Sequence, residues 1–389
     1  MDSFLEAFDF SKETSLYIHV PFCTSKCSYC AFYSVPCTND AERRQAQMMS
    51  YVDRLLSEIG AVNARMDHRP YRTAFIGGGN PGCLGPELLG RVAEAVCANG
   101  RPEEFSVEMN PESLSEGHFP LFGRFFTRLS MGVQSLDQRA LRFLGRNADM
   151  EQTRRGLELS QRLRSATGCT LSYDLITCLG SWHDELADVR EITERYPSDH
   201  LSVYALTLEE GTPLYRMDPE LPDSEGQFEI LSRIWELLER RGFEHYEVSN
   251  FAKPGHRCIH NCRYWDYRQY VGLGPGAAST AFDSLNSVTR FNFRPDVAAY
   301  CAEGPFQGVE TERLDRKEAL EELVLMGLRY KGGLDTERVE ELSGRALDFG
   351  GMALEGYHLE GKRLVPDDTG LMTADAAASR VMDFVPDLY

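Results

Sequence analysis

Two kinds of segment alternate over the first 242 residues, and this alternation restricts the fold more than any other feature of the chain. Six short runs are rich in apolar and β-branched residues, at 15–20, 73–79, 105–111, 128–135, 171–177 and 200–207. Amphipathic stretches lie between and after them, at 41–66, 84–99, 149–166, 183–195 and 225–241. Strands that alternate with helices are typical of a parallel α/β sheet, and an open doubly wound sheet and a barrel both fit this pattern.

Nearly every predicted strand ends in residues that are too polar or too flexible for a hydrophobic core. These strand-end residues are Gly77–Gly79, Glu108, Asn110, Gln134, Asp174 and Tyr204. Active sites of parallel α/β folds lie at the carboxyl ends of the strands. The pattern therefore favours a barrel-like sheet with a central site over the alternative that these residues are only helix caps and turns.

The pattern changes after residue 242. Residues 243–311 are rich in aromatic residues and histidine and contain the glycine-rich turn GLGPGAAS. A helical segment at 317–330, followed by the alternating segment EGYHLEGKRLVPDDTGLMT, predicts a small winged-helix-like α+β domain. The expected domains are a lead-in at 1–15, a core at 16–242, an extension packed on the core at 243–311 and a C-terminal domain at 312–389.

The charge balance and the cysteines limit the partners and the compartment. The 389 residues include 41 Lys and Arg against 60 Asp and Glu, a net charge of −19, which argues against a nucleic-acid partner and against docking on anionic lipid. No run approaches the roughly 18 to 20 apolar residues of a transmembrane helix, and the acidic N-terminus predicts no signal peptide. Eleven cysteines without an export signal predict reduced thiols and a cytoplasmic location.

Three cysteines, Cys23, Cys27 and Cys30, lie within eight residues, and thiolates so close in sequence can converge on zinc, copper(I) or an iron–sulfur cluster. A structural zinc site and an electron-transfer cluster both use four protein ligands. The nearest further cysteine, Cys37, lies seven residues beyond Cys30 and follows Pro36. Three ligands leave one metal position open, and an open position is what a catalytic centre keeps for a substrate or cofactor.

The C-x3-C-x2-C spacing, preceded by a strand and followed by an aromatic residue, resembles the radical S-adenosylmethionine superfamily. In that superfamily one iron of a [4Fe–4S] cluster is bound by the amino and carboxylate groups of the nucleotide. Further segments between residues 16 and 330 resemble the oxygen-independent coproporphyrinogen oxidase-like family, in its HemW haem-chaperone branch. These segments are YIHVPFCTSKCSYCAF, FIGGGNP, EMNPESL, LSMGVQSLD, SVYALTLEEGTPLY, HYEVSNFAKPG, HNCRYW and GLGPGAAS. The resemblance implies a partial (β/α)6 barrel with a small C-terminal winged-helix-like α+β domain.

The resemblance also implies roles for single residues at a cofactor site. The expected site residues are Cys23, Cys27 and Cys30 as cluster ligands, Tyr17 and Phe32 as aromatic neighbours, Gly78, Gly79 and Asn80 near the methionine end of the nucleotide, Glu108 at its amino group, Arg146 at its carboxylate, and Gln134 and Asp174 at its ribose. Three features depart from the family pattern: Asn80 stands where threonine is usual, Asn147 stands where histidine is common, and residues 177–180 read TCLG.

The resemblance is compatible with three functions. They are a coproporphyrinogen dehydrogenase that decarboxylates two propionates by a radical route, a chaperone that delivers haem to client haemoproteins such as respiratory enzymes, and a radical methyltransferase that acts on a tetrapyrrole. The oxidase-like enzymes carry a fourth cysteine where this chain has Phe32, which favours the chaperone. The chain begins 22 residues before Cys23, so we expect it to lack the longer N-terminal extension of those oxidases. A homodimer is a further expectation.

The haem site is expected at the segment CIHNCRYW. It offers three donors to a haem iron: Cys258, His260 and Cys262. Histidine and cysteine thiolate are both axial ligands of haem, and the resemblance favours His260. Tyr264 and Trp265 can border a flat ring. One alternative is that His260 is a hydrogen-bonded core residue. Another is a zinc site, which would recruit His245 or His256 as a further ligand.

Overall fold

A computed structural model of the protein describes residues 2–284, 287–352 and 354–385. Its strands are, in chain order, β1 Ser15–Val20, β2 Phe22–Cys23, β3 Val35–Pro36, β4 Thr73–Gly78, β5 Glu104–Met109, β6 Arg128–Gln134, β7 Thr170–Thr177, β8 His200–Ala205, β9 Glu244–Glu247, β10 Asn250–Ala252, β11 Tyr270–Leu273, β12 Ala278–Ser284, β13 Ser287–Phe293, β14 Val309–Leu314, β15 Leu334–Asp335, β16 Tyr357–Glu360 and β17 Arg363–Pro366. Its α-helices are α1 Asp2–Glu6, α2 Ala41–Arg65, α3 Gly85–Val96, α4 Phe119–Arg124, α5 Gln138–Phe143, α6 Met150–Thr167, α7 Glu185–Arg195, α8 Pro213–Met217, α9 Ser224–Arg240, α10 Ile259–Trp265, α11 Val297–Ala302, α12 Arg316–Leu328, α13 Thr336–Ser343, α14 Asp368–Met372 and α15 Ala374–Phe384.

Most of the strands form one large sheet, whose order is β14-β13-β12-β11-β1-β4-β5-β6-β7-β8-β10-β9. The seven strands from β11 to β8 pair in parallel. Six of them, β1 and β4 to β8, are the six strands predicted from the apolar runs, and each is followed by at least one helix. The predicted α/β core is therefore confirmed.

Local sequence signals begin and end the core helices. Asp40 precedes α2 and accepts hydrogen bonds at 3.1 Å from two amides of its first turn. Asp149 and Gln152 form a capping box at the start of α6, and Gly168 ends that helix with a φ of 71°. These caps pair backbone N–H groups that no helical carbonyl reaches.

In the part of the chain that the structure describes, no helix has both the length and the apolar character needed to cross a membrane.

Four core strands, β4, β5, β6 and β8, end one or two residues earlier than the apolar pattern predicts, and two of them end at a residue with a positive φ. The strand predicted at 73–79 ends at Gly78, which has a φ of 103°. The strand predicted at 128–135 ends at Gln134, which has a φ of 69°, and the pairing of β6 with β7 shifts register there. A positive φ is incompatible with an extended strand. The chain therefore turns at these residues and presents them at the carboxyl edge of the sheet.

Residues 243–311 extend both edges of the core sheet. β9 and β10 lie beyond β8, while β11 to β13 lie beyond β1. β11 pairs in parallel with β1, from Ser15 opposite Tyr270 to Ile18 opposite Leu273. The extension is thus continuous with the core through backbone hydrogen bonds, and its boundaries as a separate domain stay a prediction.

The C-terminal segment forms a smaller layer of helices and a sheet. Its three strands have the order β15-β17-β16, and the predicted hairpin is the antiparallel pair β16 and β17. Buried side chains of α12, α13 and α15 form a second hydrophobic core against this sheet. Helices that pack on a hairpin agree with the predicted winged-helix-like arrangement.

Candidate functional site

The three clustered cysteines lie in a loop at the carboxyl edge of the parallel sheet. Cys23 ends β2, and the other two lie in the loop between β2 and β3. Ser28 ties this loop to the end of α5: its amide donates to the Leu144 carbonyl and its hydroxyl donates to the Phe143 carbonyl, both at 3.0 Å. Contacts with a distant segment therefore hold the loop in place.

The cysteine loop forms one side of a cavity of about 590 Å³, the main cavity. Ten of the expected site residues line it: Cys23, Cys27, Cys30, Phe32, Gly78, Gly79, Glu108, Gln134, Arg146 and Asp174. Its volume lies within the roughly 300–1,000 Å³ that is usual for small-molecule sites. The structure thus brings most of the expected site together, whereas Tyr17, Asn80 and His260 lie outside this cavity.

Two glycines let the end of β4 approach its neighbours closely. A Cβ added at Gly79 would lie 2.8 Å from two backbone carbonyl oxygens and 3.1 Å from Cys23 Sγ. Gly78 has a positive φ, and a Cβ there would lie 2.6 Å from the ring of His19. Glycine meets both constraints because it has no Cβ and adopts positive φ without strain. Any side chain at these positions would push the strand away from the cysteine loop.

Glu108 and Asp174 place two carboxyl groups on the wall of the main cavity. Glu108 Oε2 accepts a hydrogen bond from the Gly78 amide at 3.2 Å. Burial and the nearby Asp174 raise the pKa of Glu108 to about 8. Burial raises the pKa of Asp174 to about 6, against hydrogen bonds from Ser202 and Ser130 that lower it. A cationic partner in the cavity would favour the ionised form of both groups.

Arg146 connects the cysteine loop with the sheet. Its Nη1 lies 3.7 Å from Cys27 Sγ and donates to Asn110 Oδ1 at 3.2 Å, and its Nη2 donates to the Gly132 carbonyl at 2.8 Å. The buried Nε has no hydrogen-bond partner among the described residues. A guanidinium held in this way on the wall of the main cavity suits a carboxylate ligand.

The three thiols suit a cluster of several metal atoms better than a single ion. Burial raises the pKa of Cys23 to about 11 and also raises the pKa of Cys30. In the described ranges no three His, Cys, Asp or Glu side chains are grouped so that they could hold one metal ion. The thiolates of an iron–sulfur cluster bind different irons, so they need not surround a single point. A cluster would replace the thiol protons, and the charge of Arg146 acts against burial by lowering the pKa of Cys30.

Two expected nucleotide neighbours lie outside the main cavity. Asn80 is 1% exposed, and its Oδ1 accepts hydrogen bonds from the Gly82 amide at 3.2 Å and the Ser113 hydroxyl at 3.0 Å. Tyr17 lines a smaller cavity of about 230 Å³, the inner cavity, and its hydroxyl lies 3.0 Å from His19 Nδ1. Asn80 therefore caps the turn that follows β4, and the nucleotide roles of both residues stay predictions.

The inner cavity contains polar residues that the motifs did not single out. They are Arg128, Ser130, Ser172, His200 and Ser202. Ser130 Oγ donates to both carboxylate oxygens of Asp174, at 3.2 and 3.3 Å. Ser172 lies two residues before Asp174 on β7, so both side chains project from the same face of the strand. The two-residue period of side chains along a strand, applied to Asp174, would have identified Ser172 from the sequence.

His260 lies in the inner cavity with both ring nitrogens engaged. Nδ1 lies 2.8 Å from Thr73 Oγ1 and Nε2 lies 2.8 Å from the Tyr264 hydroxyl. The residue is 1% exposed and its ring stacks on Phe75 with the centroids 5.2 Å apart. Burial lowers the pKa of His260 to about 3. Coordination of a haem iron by Nε2 would require it to leave Tyr264, and this role of His260 stays a prediction.

Cys258, two residues before His260, is also engaged with the protein. Cys258 is 2% exposed and its Sγ donates to Glu104 Oε1 at 3.3 Å. Glu104 also accepts hydrogen bonds from the amides of Ile259 and His260, at 3.0 and 2.9 Å, which begin α10. The zinc alternative at this segment stays a prediction.

The class of the protein follows from the fold and this site. Residues 17–195 match the radical SAM superfamily. The chain also superposes on coproporphyrinogen III oxidase (HemN) from Escherichia coli, with a TM-score of 0.78, 22% identity and coverage of 99% of this chain and 93% of that one. This likeness establishes a shared fold. The protein is thus of the radical SAM class, which implies a [4Fe–4S] cluster and S-adenosylmethionine.

Two relatives define the family more closely. The chain is 34% identical to the haem chaperone HemW of Escherichia coli (strain K12), over 68% of this chain and 69% of that protein. It is 31% identical to the haem chaperone HemW of Lactococcus lactis subsp. lactis (strain IL1403), over 85% of each. The chain belongs to the HemW family, and the resemblance predicted from its motifs is confirmed.

Proposed function

We propose that the protein is a radical-SAM-type haem chaperone. It binds a [4Fe–4S] cluster, S-adenosylmethionine and haem, and it delivers haem to client haemoproteins, respiratory enzymes among them. The observation that carries the proposal is the main cavity, where three thiols, two carboxyl groups and one arginine face a single space. The names of the relatives at 31% and 34% identity support the haem-delivery part. The cytoplasmic location predicted from the cysteines belongs to the same proposal.

Different residues of the main cavity bind the cluster and the nucleotide. Cys23, Cys27 and Cys30 hold the cluster, which supplies one-electron chemistry when it is bound. Glu108 faces the amino group of the nucleotide, Arg146 faces its carboxylate, and Gln134 and Asp174 face its ribose. A carboxylate that accepts from the amino group and a guanidinium that donates to the carboxylate complement the two polar groups of the methionine moiety.

The second candidate function is that of a coproporphyrinogen III dehydrogenase, which the fold shared with HemN favours. Phe32 argues against it. This side chain lines the main cavity and is 69% exposed, so position 32 presents an apolar ring and no thiol. The sequence identity points the same way, since it is 22% to HemN and 34% to a HemW protein.

We expect the reconstituted protein, given reductant and S-adenosylmethionine under anaerobic conditions, not to convert coproporphyrinogen III to protoporphyrinogen IX. We also expect it to bind haemin with a defined Soret band. Chromatography of the porphyrin products and a spectrophotometric haemin titration measure the two outcomes, and HemN serves as the active control. Turnover by this chain would contradict the chaperone proposal, and so would a failure to bind haemin.

Nucleotide affinity is expected to depend on pH through Glu108. Its raised pKa of about 8 means that the free carboxyl is largely protonated at neutral pH, and accepting strong hydrogen bonds from the N–H groups of the nucleotide's amino group requires that this proton leave. Affinity should therefore rise as the pH rises from about 6 to about 8. Glu108→Gln cannot ionise, so it should lose roughly 1.5–3 kcal/mol of binding free energy and part of this pH dependence.

Calorimetry on the cluster-loaded protein at several pH values measures both effects. Glu87→Gln is the matched control, because Glu87 is exposed on α3 and lies outside the main cavity. If Glu108→Gln and wild type had the same affinity and the same pH profile, Glu108 would not face the amino group.

A further inference from the structure

A third cavity lies between the edge of the core sheet and helix α12, and the proposed cofactor positions leave it unused. This outer cavity has a volume of about 650 Å³. The inner cavity, at about 230 Å³, is smaller than the roughly 300–1,000 Å³ of small-molecule sites. Tyr204, Asn261 and Tyr264 line both of these cavities, so the two are adjacent. Of the two, the outer cavity is the one large enough for a large flat ligand.

One wall of the outer cavity is aromatic. Its members are Tyr264, Trp265, Tyr267 and Tyr270. Tyr264 lies edge-on to Tyr270, with the ring centroids 4.6 Å apart, and its hydroxyl is held by His260 Nε2 at 2.8 Å. The HNCRYW segment thus meets this cavity through its later residues, while His260 lies behind them. Aromatic walls of this kind suit a flat ring.

The charged residues that line the outer cavity are two arginines, Arg268 and Arg290, and two glutamates, Glu247 and Glu322. Arg268 is exposed and lines the cavity, and no ion pair joins it to a carboxylate among the described residues. Arg290 lines the cavity too and donates to Glu322 Oε2 at 2.6 Å. A guanidinium without an acidic partner, beside an aromatic wall, suits a ligand that carries carboxylate groups.

Two buried oxygen atoms on the cavity wall lack partners within the described chain. They are Oε1 of Glu247, a residue that is 0% exposed, and Oδ1 of Asn250, a residue that is 4% exposed. The other carboxylate oxygen of Glu247 accepts a hydrogen bond from the Ser249 amide at 3.1 Å. A buried polar atom without a partner costs free energy. Both atoms are hydrogen-bond acceptors that are buried in the wall, so a donor such as water would satisfy them, and they do not by themselves select a ligand that carries carboxylate groups.

We infer that the outer cavity is the haem site, with the ring against Trp265 and its aromatic neighbours and the propionate groups at Arg268 and Arg290. This inference rests on the proposed chaperone function and gives the position at which the haem binds. His260 is then a positioning residue for Tyr264 and does not bind the iron. Met326 of α12 also lines the cavity, and a methionine thioether is one of the axial ligands of haem iron.

Haemin titrations of the cluster-loaded full-length protein test the inference. Arg268→Glu places a like charge beside the propionates, and we expect it to weaken haemin binding about tenfold or more. Haemin dimethyl ester, whose propionates carry no charge, should bind wild type and Arg268→Glu equally. Arg155→Glu is the matched control, since Arg155 is exposed on α6 and lies outside the outer cavity, and its affinity for haemin should match that of wild type.

A second pair of variants separates the aromatic wall from His260. Trp265→Leu is expected to weaken both haemin and metal-free protoporphyrin IX, because it removes a ring contact. His260→Ala should keep the position of the Soret band and lower the affinity, since Tyr264 loses its partner. Wild-type haemin affinity in Arg268→Glu and Trp265→Leu, or a displaced Soret band in His260→Ala, would overturn the inference. Wild type that fails to bind haemin at all would instead contradict the proposed function.

Discussion

Replacing Cys27 by alanine is expected to remove the [4Fe–4S] cluster completely. The main cavity offers three thiols from one loop, and the proposal keeps the fourth position for the nucleotide. No other cysteine lines this cavity within the described residues, so none can substitute for Cys27. Iron and sulfide analysis after anaerobic reconstitution, together with paramagnetic-resonance spectroscopy of the reduced protein, measures the loss. The same result is expected for Cys23→Ala and Cys30→Ala.

Cys37→Ala is the matched control for this experiment. Cys37 follows β3, and its amide donates to the Cys23 carbonyl at 2.8 Å, so its contact with the cysteine loop is made by the backbone and survives the substitution. Its thiol pairs with the thiol of Cys83, which lowers the pKa of Cys37 to about 7. We expect a full cluster in Cys37→Ala. A retained cluster signal in Cys27→Ala would disprove the ligand assignment.

Replacing Glu58 by alanine is expected to reduce the free energy of unfolding by about 3–5 kcal/mol, the cost of leaving a buried charge without its partner. Glu58 is 0% exposed, and its Oε1 lies 2.9 Å from Arg54 Nη2. The same oxygen accepts from the Phe306 amide at 3.0 Å, and Oε2 accepts from the Tyr300 hydroxyl at 2.5 Å. The carboxylate therefore joins α2 to α11 and the loop after it.

Equilibrium unfolding in urea, followed by circular dichroism, measures this change. Glu94→Ala is the control, because Glu94 pairs with Arg124 at 2.9 Å on the surface, where both side chains are about two-thirds exposed. We expect that variant to lose less than about 1 kcal/mol. If Glu58→Ala lost no more than Glu94→Ala, the buried pair would not stabilise the fold.

The sequence by itself determined the core elements and the chemistry of the cluster loop, because both depend on neighbours along the chain. The strand predicted at 15–20 is β1 with the same bounds, and the helix predicted at 41–66 ends at Arg65. The spacing of three cysteines required no tertiary information to indicate a metal centre with an open position. The family resemblance rested on short continuous segments, and the relatives confirmed it.

Only the tertiary structure decided which of the expected residues share a cavity. Arg146 lies 3.7 Å from Cys27 Sγ across 119 residues of chain, and Tyr17 lies behind the main cavity although its motif is continuous with the cysteines. One ring nitrogen of His260 is engaged by Thr73, which lies 187 residues earlier in the chain, so the motif around His260 does not show whether the ring is free to bind a metal. Such contacts follow from the pairing order of the strands and from which polar atoms find partners when they are buried. Neither property can be predicted from the periodicity or spacing of a single segment, so only the tertiary structure shows which residues meet.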